Sequence, residues 1–112
     1  MNHSAVQEAR VNLDMAYLNE RKVGQDLKLN METSRSDFLL SYDFYEVQKE
    51  NLELAKNIND RQLIKYNEGI SSSLDLMNSQ NQYLNNQNEY IMSIYNLIVA
   101  KSELEKALNN QE

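Results

Sequence analysis

Apolar residues recur at spacings of three and four along nearly the whole chain, a period that belongs to helices and not to strands. Val6, Ala9, Leu13, Ala16, Val23 and Leu27 trace one stripe. Met31, Phe38, Tyr42, Tyr45, Leu52 and Ala55 continue it after a phase shift near Asn30. Gly24, inside the stripe, reads as a place where another helix comes close, because a glycine in a helix costs about 1 kcal/mol against alanine. The one turn-like cluster is Tyr66-Asn67-Glu68-Gly69-Ile70-Ser71-Ser72-Ser73. Gly69 can take the positive φ that ends a helix, with Asn67 a weaker candidate for the same role. Ser72 then suits an N-cap, and Asp75 three residues later puts negative charge where the helix dipole favours it. The pattern predicts one unit over residues 1–112. It has a helix from about residue 4 to about 66, a turn over about 67–72 and a helix from about 73 to about 109.

The second helix carries two apolar series one residue apart. Met77, Leu84, Ile91 and Ile98 repeat every seven residues, and so do Leu76, Tyr83, Tyr90, Leu97 and Leu104. Together they make a surface wider than a single coiled-coil seam, so neighbours are expected on two sides. Gln80, Asn81, Gln87 and Asn88 lie between them, as register-fixing amides or as a wet face. On this reading, Asn at both Leu84 and Ile91 unfolds the second helix by removing its seam. At 1.5 Å per residue the helices span about 90 and about 55 Å, so residues 1 to about 27 project beyond the hairpin. Their apolar stripe has no partner in the chain, the mark of an interface or of a larger molecule.

Composition sharpens this picture. There is no Pro to break a long element and no Cys for a disulfide or thiolate site. A net charge of −6 without a basic stripe argues against nucleic acid. The chain has 16 Asn and 8 Gln, and Leu76 to Asn88 carries no charge at all. Such a segment stays helical through its partners more than through propensity. No apolar run approaches the roughly 20 residues of a membrane-spanning helix, and Met1-Asn2-His3-Ser4 does not begin a signal peptide. His3 near the terminus reads as a solvated side chain. Glu46, Glu50 and Glu53 sit at helical spacing, but no Glu-x-x-His accompanies them, so a di-iron bundle lacks its ligands. No metal, cofactor or catalytic residue is expected, and the chain does not read as an enzyme.

The ordered run Ile64-Lys65-Tyr66-Asn67-Glu68-Gly69-Ile70-Ser71-Ser72-Ser73-Leu74-Asp75-Leu76 resembles the periplasmic tip of TolC-like outer-membrane efflux proteins. Asn81-Gln82-Tyr83-Leu84, Ile94-Tyr95-Asn96-Leu97 and Ala100-Lys101-Ser102-Glu103-Leu104 are similar to that family's returning helix. Gln48 to Ala55 resembles its descending helix, and the similarity spans about Ala5 to Leu108. The resemblance implies an all-α fold, a long antiparallel coiled-coil hairpin that forms part of a TolC-type α-barrel in a trimeric channel. It implies a periplasmic location, and a periplasmic adaptor (membrane fusion) protein as partner, with an inner-membrane pump behind it. Glu68, Gly69, Ile70 and Ser71 would be the adaptor-contacting tip. Tyr66, Asp75 and Asn78 would make polar contacts between neighbouring hairpins at the channel entrance. Better-known members carry an Arg where Ser71 stands and an Asp where Asn78 stands, so a charged constriction network is not carried over. The signal peptide, barrel strands and first repeat that the family implies are not in these residues, and the chain is expected to be one piece of a channel. The competing reading is a stand-alone hairpin that dimerises into a four-helix bundle.

Overall fold

The computed structural model describes residues 2–110. Two α-helices make up the fold, α1 (Asn2–Asn67) and α2 (Ser73–Asn109), packed side by side and antiparallel. No strand occurs among the described residues. The molecule is a rod of 100 × 22 × 13 Å, and its long dimension matches the roughly 99 Å expected of 66 residues rising 1.5 Å each.

A strict three-four alternation builds the seam. On α1 the half-buried or buried positions are Leu27, Met31, Ser34, Phe38, Ser41, Tyr45, Gln48, Leu52, Ala55, Asn59 and Gln62, with Glu46 half-buried beside them. On α2 they are Leu76, Ser79, Tyr83, Asn86, Tyr90, Ser93, Leu97, Ala100, Leu104 and Ala107, with Gln87 and Ile94 half-buried beside them. That spacing averages 3.5 residues, the repeat that keeps one stripe of each helix facing its partner in a left-handed supercoil. Along α2 every other seam residue is small or short, and Ser93 is the most enclosed at 0% exposure. Small side chains let the helix axes approach, and the large ones between them fill the space on either side.

The seam changes character along its length. Near the turn it is polar and hydrogen-bonded: Ser79 Oγ donates to Asn59 Oδ1 at 3.1 Å, and Asn86 Nδ2 donates to the Asn51 carbonyl at 3.3 Å. Midway, the Tyr45 and Tyr90 rings stack with centroids 5.7 Å apart, and Tyr42 lies against Tyr45 at 6.3 Å. Further from the turn the seam is apolar, with Met31 and Phe38 on α1 and Leu97, Ala100, Leu104 and Ala107 on α2. No buried side-chain polar atom among the described residues lacks a partner.

Several sequence-based expectations change here. Met77, Leu84, Ile91 and Ile98 are not in the hairpin seam; they stay 50–62% exposed. The series one residue earlier takes the seam instead, because Ser79, Ser93, Ala100 and Ala107 beside it permit close approach. The unfolding expected of Asn at Leu84 and Ile91 therefore loses its basis within one chain. Of the amides between the two series, Gln80, Asn81 and Asn88 are exposed, which is the wet-face alternative, and Gln87 is half-buried; the amides that enter the seam are Gln48, Asn59, Gln62 and Asn86. Tyr42 falls outside the seam, which passes through Ser41. Gly24 meets no second helix in the chain, since a Cβ there would find nothing within 4 Å. Residues 2–26 of α1 are exposed throughout, beyond the reach of α2.

Candidate docking tip and lateral faces

The tip is built by the way α1 ends. Gly69, with φ at 77°, is the only described residue in the left-handed region. Its amide donates to the Tyr66 carbonyl at 3.0 Å and the Ile70 amide to the Lys65 carbonyl at 2.8 Å. This crossed pair is the Schellman arrangement, which satisfies the orphan carbonyls of a helix end and needs a residue without a Cβ penalty at its left-handed position. The chain then reverses within a few residues. Ser72, at φ −79° and ψ 161°, caps α2 by accepting from the Asp75 amide at 3.1 Å. Ser71 Oγ donates to Gln62 Oε1 at 2.8 Å and ties the turn back onto α1.

The arrangement leaves one apolar side chain conspicuously uncovered. In many Schellman ends the residue after the glycine packs back on the last helical turn. Ile70 does not: it is 73% exposed at the end of the rod. Glu68 and Gly69 beside it are exposed, and Ser71 is half-buried by its bond to Gln62. All seven residues singled out in the sequence thus lie at one end of the molecule. Tyr66, Asp75 and Asn78 are exposed there, and their side chains make no hydrogen bond or ion pair within the described residues.

The flanks carry two further features. On α2 the Met77, Leu84, Ile91, Ile98 stripe stands one residue, or about 100°, past the half-buried series Leu76, Tyr83, Tyr90, Leu97. On α1, Leu40, Val47 and Leu54 are exposed two residues, or about 200°, past the half-buried Phe38, Tyr45 and Leu52. In an antiparallel pair equal rotations lie on the same face, so these two stripes occupy opposite faces of the hairpin. The projecting part of α1 repeats the theme, with Val6 and Leu13 along one line and Val11, Met15 and Leu18 along another. Sequence reasoning found the α2 stripe but missed the α1 one. The seven-residue spacing of Leu40, Val47 and Leu54 was the signal for it.

Against known proteins, a model of the family described as outer membrane efflux protein matches residues 1–110. The chain belongs to the outer membrane efflux protein family. Neither the comparison with curated proteins nor that with solved structures returned a match. The outer membrane efflux protein family is one of transport channels and not of enzymes. Among the described residues no group of His, Cys, Asp or Glu is arranged to hold a metal ion, and no helix is long and apolar enough to cross a membrane.

Proposed function

We propose that this chain is the periplasmic hairpin of a trimeric outer-membrane efflux channel, standing in its α-barrel wall and meeting a periplasmic adaptor protein at the Gly69 tip. The observation that carries the reading is the pair of apolar stripes on opposite faces, Met77 to Ile98 on α2 and Leu40 to Leu54 on α1. Different patches on the two sides make a heterologous, head-to-tail contact, and such contacts generate rings when the rotation closes. A two-fold four-helix bundle would use one of these faces and leave the other in water. The tip fits a docking role for a separate reason. Ile70, Glu68 and Gly69 present an apolar anchor and exposed polar groups on a turn held rigid from both sides, the kind of feature that makes a hot spot at an interface. Tyr66, Asp75 and Asn78 have their polar groups unengaged beside that turn and serve as contacts between adjacent hairpins at the entrance. Through the adaptor the channel couples to an inner-membrane pump.

The test is fractionation of the source cells with an antibody against this segment, followed by crosslinking from a cysteine placed at Ile70. An outer-membrane signal in a trimer, with a crosslink from position 70 to a periplasmic adaptor, is the expected result. A signal confined to the soluble fraction as a 13.1 kDa species refutes the channel reading. A membrane trimer with no adaptor crosslink refutes the tip assignment alone.

A further inference from the structure

A groove between the helices near the tip, with a volume of about 420 Å³, is lined by Asn59, Gln80, Tyr83, Leu84 and Gln87. We propose that this groove is a binding site for an uncharged polyhydroxylated molecule, a neutral sugar unit. Three observations carry the assignment. The lining contains three carboxamides and no ionic group, and its α2 wall lies within the charge-free run from Leu76 to Asn88. The amides are also free to engage a ligand. The Gln80 and Gln87 side chains make no hydrogen bond among the described residues, and Asn59 accepts from Ser79 through Oδ1, leaving its Nδ2 to donate. Finally, the amides stand beside a tyrosine ring and a leucine, a mixed surface and not a uniformly wet one.

The chemistry of these groups selects the ligand class. A carboxamide offers a donor and an acceptor side by side, and adjacent hydroxyls both donate and accept, so one Gln or Asn can engage two neighbouring hydroxyls at once. Tyr83 and Leu84 supply an apolar wall for the C–H face of a sugar ring. A charged ligand finds no counter-charge here, and a purely apolar one would strip water from three amides without replacing their bonds. An extended peptide is disfavoured because both walls are helices whose backbone groups are already paired, leaving no edge to add a strand to. The volume falls within the range of about 300–1,000 Å³ common for small-molecule sites. The groove lies on a single hairpin, so it can be tested on the chain by itself; of its lining residues, Leu84 also belongs to the stripe assigned to a neighbouring hairpin.

Binding at so open a groove is weak, so the titration is carried to high ligand concentration. The chain itself, labelled with nitrogen-15, is titrated with cellobiose and, in parallel, with glucuronate, while the side-chain amide signals are followed by NMR. The expected result is a saturable shift of the Asn59, Gln80 and Gln87 amides with cellobiose and a weaker response to glucuronate. In the Gln80→Ala/Gln87→Ala variant the midpoint should rise at least about fivefold. Alanine favours helix more than glutamine, so the variant keeps the hairpin, which its circular dichroism verifies. Shifts that never saturate or are spread evenly over all surface amides overturn the proposal. So does an unchanged midpoint in the double variant, or glucuronate binding as tightly as cellobiose.

Discussion

Ser93 is where the two helices come closest to excluding everything else, and substitution there reads the packing of the hairpin directly. Its side chain is fully enclosed, and its hydroxyl donates to the Tyr90 carbonyl one turn back at 2.6 Å. Leucine in its place adds bulk at a point with no free space. The chain must then adopt a strained rotamer or push the helices apart beside the Tyr45–Tyr90 stack. Overpacking of this kind costs about 1–3 kcal/mol. Alanine, by contrast, removes only a hydroxyl whose bond is local to the helix and raises helix propensity, so Ser93→Ala is expected to fall within about 0.5 kcal/mol of the parent. Urea unfolding followed by circular dichroism separates the two cases. With a slope of about 1–3 kcal/mol per molar urea, Ser93→Leu should lower the midpoint by roughly 1 M. Measurements belong at one fixed chain concentration, because self-association through exposed stripes would raise apparent stability. The reasoning is refuted if Ser93→Leu unfolds with the parent while Ser93→Ala is clearly weaker, because position 93 would then contribute through its hydroxyl and not through its size.

Three other outcomes follow from the same geometry. The two glycines should respond with opposite signs: Gly69→Ala destabilises by about 1–2 kcal/mol because of its positive φ, whereas Gly24→Ala stabilises by about 1 kcal/mol, with open space for the new Cβ; thermal unfolding of both variants checks this, and equal signs would contradict it. Asn at both Leu84 and Ile91 should leave the monomeric hairpin within about 0.5 kcal/mol per site of the parent while weakening any self-association seen by analytical ultracentrifugation, since both side chains face outward. The Tyr45 hydroxyl, and after it desolvation between the helices, holds the Tyr90 phenol above its ordinary value of 10.0. A raised value in the folded state means stability that is complete below pH 10 and is lost as pH rises through the folded value, so alkaline titration of helicity should show a loosening that Tyr90→Phe removes.

The helical period, the absence of proline and the glycine-serine cluster together make a two-helix hairpin legible in the sequence alone, since each rests on local chemistry. The positive φ at Gly69 and the cap at Ser72 follow from the same local preferences. Which stripe of α2 faces α1 is not decided at that level. Two apolar series only about 100° apart are equally good helical faces, and periodicity ranks neither above the other. The tertiary structure chose Leu76, Tyr83, Tyr90 and Leu97 because the alternating companions Ser79, Ser93, Ala100 and Ala107 are small enough for the axes to close. The corresponding companions of the rival stripe, Gln80, Gln87, Ile94 and Lys101, are larger and would keep the axes of the two helices further apart. The same closeness turned Asn59 and Asn86 into paired seam residues and left Asn81 and Asn88 in solvent, a distinction that hydrogen-bond geometry across two helices makes and composition does not. Sequence thus determined the elements and the place where the chain reverses. Packing determined which surface was spent inside the hairpin and which was left, on two opposite faces, for something else to cover.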